Sequence, residues 1–402
     1  MIKVEMLSTG DEVLHGQIID TNAAWLADYF FNQGLPMSRR NTVGDSLDDL
    51  IAVLKERSEQ ADVLIVNGGL GPTSDDLSAL AAATAAGVEL VMHQEWLEHM
   101  ERFFAERGRE MAPSNRKQAL IPATSEMVDN PVGTACGFAL QLNRCLMFFT
   151  PGVPSEFKVM IDQQIMPRLR ERFVLPEPPV CLRLTTFGRS ESELAQSLEP
   201  LSLPEGAVMG YRSSMPIIEL KLTGPASQRQ AMEAVWPQVQ RVAGESAIFE
   251  GTAGLPAQLA ERLRAQSLNI AVSEQFTAGL LCLQLSSAQA PLGNSEVLSS
   301  RPETLLQVAE RAKTFALQAG SALALVVGSL EDESLHFALH TPNGTYGLQV
   351  KFSVTRHVLR TRQEVCAMMA LNMLRRWLNG WDVAAEHGWV NVVDSITLQT
   401  SS

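Results

Sequence analysis

Residues 62–76 read DVLIVNGGLGPTSDD. After Asp62 the apolar run Val63, Leu64, Ile65 and Val66 has the character of a buried strand, and it enters a loop holding Gly68, Gly69 and Gly71. Ser74-Asp75-Asp76 then opens an alanine-rich run that stops at Gly87 and predicts a helix. A strand feeding a glycine loop and a helix N-terminus is a common phosphate-holding arrangement, because glycine lets the backbone approach and the first helical turn presents unpaired N–H groups. The Lys-Ser/Thr ending of a P-loop is absent, and two carboxylates stand in its place. They would repel a bare phosphate yet suit one carried on a divalent cation. The competing reading makes Ser74 an N-cap and the aspartates a complement to the helix dipole.

Working outward, residues 3–9 (KVEMLST) predict a strand, followed by a turn at Gly10-Asp11-Glu12 and a polar segment reaching Asn22. Asp20 or Thr21 can cap a helix over 22–33, with Trp25, Leu26, Tyr29 and Phe30 on one face and Gly34 as its stop. A second strand near Met37–Val43 ends in Gly44-Asp45, and Ser46 caps a helix to about residue 59. Strand and helix thus alternate three times before Gly87, which predicts an α/β fold with a doubly wound, mainly parallel sheet. Ligands in such sheets sit beyond the carboxyl ends of the strands. The turns there carry Asp11 and Glu12, then Asp45, then Asp75 and Asp76, so the carboxylates gather on one edge and point to a metal-assisted phosphate site.

A further helix is expected over 94–107, followed by a polar stretch containing Asn115 and Lys117; Lys117 can serve as the cationic partner of an anionic ligand or as a solvated surface lysine. Residues 137–142 and 145–149 predict a hairpin with Asn143-Arg144 at its turn, for which Arg144 is a poor residue. PGVPSEF (151–157) opens a helix ending near Arg172, and the first domain closes at residue 173. The proline-rich VLPEPP (174–179) reads as a linker. A small α+β module follows to residue 250, with strands at 180–187, 207–212 and 216–224 and helices at 190–198 and 226–243. Its element order resembles a KH-type module, but no G-x-x-G loop occurs and the segment is not basic, so a spacer or dimer-forming role is preferred over RNA binding. The third domain, 251–402, predicts helices at 255–265, from the turn at 274–279 through Ser286, at 301–319 and at 360–378, and strands at 269–273, 322–327, 335–339 and 347–352, with the tail after Trp381 on the surface.

At 402 residues the chain suits two or three domains, and 46% hydrophobic with 19% charged residues describes a globular protein. A net charge of −13 argues against a nucleic-acid-coating surface. The start MIKVEMLSTGDE enters a strand directly, and no apolar run approaches bilayer length. The five cysteines are scattered without metal-ligand spacing. A cytoplasmic protein that meets no membrane is expected.

Taken in order, TGDEVLHGQIIDTNAAWLA (9–27), TVGD (42–45), NGGLGPTSDD (67–76), NRKQA (115–119), NPVGTACGF (130–138) and PGVPSEF (151–157) resemble the molybdopterin-binding-like domain of the competence/damage-inducible protein CinA family. The full-length family joins that domain to a KH-type module and a C-terminal nicotinamide mononucleotide deamidase domain. The resemblance implies metal-dependent hydrolysis of ADP-ribose to AMP and ribose 5-phosphate, and a homodimer. It marks Glu12, Asp45, Asp75 and Asp76 as catalytic acids and ligands of a divalent ion (magnesium, manganese or cobalt). It also marks Gly68, Gly69, Gly71 and Thr73 as the phosphate loop, with Asn22, Asn115 and Lys117 as substrate contacts. A non-catalytic scaffold binding a pterin or nucleotide is the alternative.

The third domain departs from the family. The deamidase pattern AESCTGG is read here as SEQFTAG (273–279), so Gln275 occupies the place of the nucleophilic serine, and an amide forms no acyl-enzyme. Ser273 lies two positions early. The following QAPLGNSEVLSSRPETLL (289–306) supplies neither the family's tyrosine nor its lysine, and VGSLED (327–332) replaces TGIAGP. Arg356, Arg362 and the alanine-rich helix at 367–374 keep the resemblance, and no deamidation is expected.

Overall fold

The computed structural model describes residues 2–353, 357–385 and 387–399. The chain divides into two compact units, Met1–Pro179 and Val180–Ser402.

The first unit runs β1 (Val4–Thr9), α1 (Asp11–Leu14), α2 (Thr21–Asn32), β2 (Met37–Val43), α3 (Leu47–Gln60), β3 (Val63–Asn67), α4 (Ser78–Ala86), β4 (Leu90–Met92), α5 (Gln94–Ala105), β5 (Leu120–Pro122), β6 (Glu126–Val128), β7 (Gly137–Leu142), β8 (Cys145–Thr150), α6 (Pro154–Met160) and α7 (Met166–Arg172). Its main sheet has the order β2-β1-β3-β8-β7-β6, with the first four strands parallel, β7 antiparallel to β8 and β6 antiparallel to β7. Alternation along β3 explains the double winding. Val63 and Ile65 face a core with Met6, Leu26, Phe30, Phe148 and Phe157, whereas Leu64 and Val66 face one with Leu7, Leu50, Leu54, Ala81 and Phe149. Each such leucine or phenylalanine contributes about 1.5–3 kcal/mol by leaving water.

Three local expectations change. Residues 11–14 form a short helix rather than a turn. Ser74-Asp75-Asp76 does not open α4, which begins at Ser78 behind Leu77 and has neither a side-chain cap nor an acid in its first turn. The Asp76 carboxylate instead accepts from the Thr73 N–H at 2.8 Å and from the Thr73 hydroxyl, closing its own turn, while the Ser78 N–H is drawn to the Gly69 carbonyl at 3.1 Å. The capping reading of the two aspartates therefore falls. At the 143–144 turn only Asn143 takes a positive φ (49°), so Arg144 keeps an ordinary backbone and pairs with Asp62.

The second unit holds two sheets. Strands β9 (Val180–Phe187), β10 (Val208–Ser214), β11 (Ile217–Gly224) and β12 (Ala247–Glu250) form an antiparallel sheet ordered β10-β11-β9-β12. Helices α8 (Glu191–Leu198) and α9 (Arg229–Ala243) pack Leu194, Met232 and Val239 against its Leu184, Leu220 and Leu222. The chain continues through α10 (Leu255–Ala265), β13 (Ile270–Glu274), α11 (Leu280–Ser287), β14 (Leu292–Val297), α12 (Leu305–Ala319), β15 (Leu323–Glu331), β16 (Ser334–Thr341), β17 (Gly344–Phe352), α13 (Leu359–Leu378) and β18 (Val390–Leu398). The sheet order is β14-β13-β15-β16-β17-β18.

Three strands here lie outside the sequence expectation, β12, β14 and β18. The tail after Trp381 is not merely surface chain, since β18 pairs antiparallel with β17. A bulge divides it: Gln349 pairs with Asp394 and Val350 with Val392, leaving Val393 over. Val390 and Val392 consequently join the core containing Val350 and Leu348, while Ile396 and Leu398 face Val308 and Ala312 on α12. Helix α12 starts at Leu305 rather than Arg301, because Thr304 and Gln307 form a reciprocal capping box. No helix among the described residues is long and apolar enough to cross a membrane.

Candidate functional site

The carboxyl ends of β1, β3 and β8, with the loop after β2, surround a cavity of about 590 Å³, within the range of small-ligand pockets. Glu12, Asp45, Asp75, Asp76, Asn22, Thr73, Gly68, Gly69 and Gly71 all line it. Lys117 does not: it lines a smaller neighbouring cavity of about 220 Å³ with Leu77, Leu80, Leu90 and Cys136. Its ammonium donates to the Thr73 carbonyl. Asn115 lies in the seven-residue 3-10 helix Pro113–Ala119 and lines neither cavity.

The acids are held in distinct ways. Asp11 and Asp45 cap one another, each backbone N–H donating to the other's carboxylate at 3.1 Å, which joins the start of α1 to the end of β2. Burial raises the proton affinity of Asp45; the hydrogen bond from the Asp11 N–H opposes this, and the carboxylates of Asp11, Glu12 and Asp75 add to it. Asp75 is shifted the other way, held low by hydrogen bonds from Thr73 and from its own backbone and by the charge of Lys117. Asp76 is occupied by Thr73.

The glycine loop owes its course to backbone freedom. Gly68 and Gly69 take φ of 108° and 67°, and a Cβ on Gly68 would lie 2.6 Å from the Thr9 hydroxyl. The Gly68 N–H donates to the Thr150 carbonyl at 2.9 Å, whereas no acceptor among the described residues takes the N–H groups of Gly69, Leu70 or Gly71. Those three donors are free for ligand oxygens.

Residues without an assigned role in the sequence complete the floor. The Asn67 amide nitrogen donates to the Pro151 carbonyl at 2.7 Å and the Thr150 hydroxyl at 3.3 Å, and its oxygen accepts from Asn22 at 3.0 Å. Asn22 also donates to the Gly152 carbonyl at 2.8 Å. Glu156, in the first turn of α6, accepts from buried Asn130 at 2.7 Å and reaches the same cavity. A polar residue ending an otherwise apolar strand was the signal available for Asn67; Glu156 lay inside a quoted motif.

The acids of the cavity suit a divalent cation only in part. Among the described residues no group of three or more His, Cys, Asp or Glu side chains is arranged to hold a metal. With Asp76 committed to its turn, Glu12, Asp45 and Asp75 remain as an all-oxygen, like-charged set. That set suits an ion bound through one or two carboxylates plus water and phosphate, rather than an all-protein cage.

In the second unit Gln275 donates to Glu303 at 2.7 Å, and Glu303 also pairs with Arg311 at 2.7 Å. Arg311 donates to the hydroxyl of Ser273, which itself donates to Glu296 at 2.7 Å and has no exposed surface. Fully buried Glu274 accepts from the N–H groups of Leu281 and Cys282 at 3.2 and 2.9 Å. Arg362 pairs with Glu333 and lies over the Phe352 ring; Arg356 lies outside the described residues.

Residues 5–171 match a family model described as a probable molybdopterin binding domain. Over 403 residues the chain is 70% identical to a CinA-like protein of Escherichia coli O9:H4 (strain HS), covering 99% of this chain and 100% of that protein. A protein of Escherichia coli (strain K12) named NMN amidohydrolase-like protein YfaY matches with the same 70% identity and the same coverage, 99% and 100%. Among solved structures, a CinA protein from Thermoplasma acidophilum aligns at 26% identity with a TM-score of 0.38, covering 43% of this chain and 98% of that one.

Proposed function

The chain belongs to the CinA-like proteins, and from that membership we propose that the acid-lined cavity is a nucleotide pyrophosphatase site, hydrolysing ADP-ribose to AMP and ribose 5-phosphate with a divalent cation. The observation that carries this reading is the pairing, in one cavity, of a crowded carboxylate set with unoccupied loop N–H groups. The N–H groups of Gly69, Leu70 and Gly71 bind phosphate oxygens, and the Asp76–Thr73 turn keeps the loop in shape to do so. One or two of Glu12, Asp45 and Asp75 would hold the cation, which when bound would neutralise pyrophosphate oxygens and lower the pKa of water. Lys117 steadies the loop from behind through Thr73.

A panel of nucleotides assayed with magnesium, manganese and cobalt, followed by product identification, tests the reading. AMP from ADP-ribose is expected; no turnover of ADP-ribose or related dinucleotides with any metal would sink it. The second reading, a non-catalytic pterin- or nucleotide-binding scaffold, draws on there being no cage of three or more metal-ligating side chains among the described residues. A ligand that raises the melting temperature without being consumed would favour it.

We further propose that the C-terminal domain does not deamidate nicotinamide mononucleotide. The Gln275 amide is bound to Glu303, and the nearby Ser273 hydroxyl is buried between Arg311 and Glu296. Ammonia release from nicotinamide mononucleotide would refute this.

A further inference from the structure

The stretches 130–138 and 151–157 both reach the cavity, and one pair of side chains joins them. Asn130, which has no exposed surface, donates from its side-chain nitrogen to Glu156 at 2.7 Å and to the Ala135 carbonyl at 3.1 Å. Its oxygen accepts from the N–H groups of Gly133 at 3.1 Å and Val132 at 3.4 Å. With every polar atom engaged, the amide cannot turn over. A side chain on Gly133 would collide with the Glu156 carboxylate, so the backbone there is shaped to the acid. A buried polar network satisfied in full holds one arrangement. What it holds here is a half-buried carboxylate that lines the cavity, one oxygen tied to Asn130 and the other without a partner among the described residues. Gly152, four residues before Glu156, adjoins the glycine loop, since a Cβ on it would lie 3.7 Å from the Gly68 Cα.

Six carboxylates line the cavity, those of Glu12, Asp20, Asp45, Asp75, Asp76 and Glu156. Asp20 caps α2, accepting from the Ala23 N–H at 2.8 Å and the Ser8 hydroxyl at 2.6 Å, and Asp76 closes its turn on Thr73. Glu12 and Asp75 bear on Asp45 as one like-charged set, the one suited to a cation. A carboxylate beside a bound cation is a poorer proton acceptor, because the opposite charge favours its ionised form. Glu156 stands apart on the first turn of α6, beside a neutral amide. We propose that Glu156 is the general base of the hydrolysis and Asn130 the residue that positions it. The oxygen of a water attacks phosphorus, its proton passes to the free Glu156 oxygen, and the bridging P–O bond breaks with its electron pair leaving on the departing phosphate. This rests on the pyrophosphatase reading above and adds the proton acceptor that the reaction needs.

The test uses the full chain. Glu156→Gln keeps an oxygen for Asn130 to donate to but gives up the proton acceptor. With ADP-ribose and magnesium, its kcat for AMP release should fall at least about 100-fold. Two binding measurements should match the unaltered protein: calorimetry with the α,β-methylene analogue of ADP-ribose, whose bridging carbon blocks hydrolysis, and manganese titration followed by electron paramagnetic resonance. Asn130→Asp, which sets a carboxylate against Glu156, should lower kcat and likewise leave both affinities. An undiminished kcat in Glu156→Gln would overturn the inference while leaving the pyrophosphatase reading intact. So would a loss of affinity for the analogue or for manganese, which would make Glu156 a binding group. No AMP from the unaltered protein would overturn the pyrophosphatase reading, and the inference with it. Glutamine matches glutamate in shape at this half-buried position, so the decisive comparison stands even if Asn130→Asp fails to fold.

Discussion

Asp45 carries its charge against its surroundings, with burial and the neighbouring carboxylates of Asp11, Glu12 and Asp75 all favouring the protonated form. A carboxylate whose folded-state proton affinity is raised costs stability when ionised, and that cost is relieved as pH falls through its folded value. Asp45→Asn is therefore expected to raise the melting temperature of chelator-treated protein at neutral pH while lowering AMP release roughly 100-fold. Thermal melts with and without metal, alongside product analysis, check both halves; a lower melting temperature would contradict the crowding. Gln275→Ser should not create a deamidase, because the new hydroxyl would face the Glu303–Arg311 pair with no base in place, and an ammonia assay decides it. At this scale the acids were legible, since Glu12, Asp45 and Asp75 follow from counting turns on a parallel sheet. The partners were not. Nothing in residue type told that Thr73 would claim Asp76 and the ammonium of Lys117, because both contacts depend on how one loop folds back on itself.

Elements were easiest to read where one period ruled their whole length. Helices α2, α3 and α10 stand within a residue or so of expectation, for each has a single buried face, and β3 does so because burial on both faces makes it one unbroken apolar run. Strand β18 was missed because Asp394-Ser395 interrupts its apolar alternation at mid-length, where the bulge at Val393 also turns the second half to the other face. Helix α4 began late because local side-chain bonds outbid the helix for residues 73–77. Helix α12 carries a capping box, so Thr304→Ala should cost about 1 kcal/mol, read as a lower urea midpoint with unchanged slope.

On the scale of the whole molecule, His387 ties the last helix of the second unit to its small sheet. Its Nε2 meets the Asn372 amide nitrogen at 3.1 Å, and its ring packs on Phe187 at 4.8 Å. Burial, then the charges of Arg376 and Arg375, hold its pKa down at about 4, against about 6.5 in the unfolded chain. Between those values the unfolded chain binds a proton that the folded one refuses, so stability is full above pH about 6.5 and falls towards pH 4 by up to about 3 kcal/mol. His387→Gln should flatten that acid limb in melts recorded against pH. Divalent cation in excess should in turn raise the melting temperature of the holoprotein at neutral pH, and a chelator should reverse it.

Strand β18 also has a protective duty. It occupies the outer edge of β17, a nine-residue strand whose outward-facing backbone groups between Thr345 and Phe352 pair with it while the inward-facing ones pair with β16. A chain stopped at Trp389 would keep every residue of the candidate site yet present β17 as a long bare rim, ready to add a strand from a neighbouring molecule. Such a truncation would be lost to self-association rather than to inactivity, and light scattering would register its failure before any assay did.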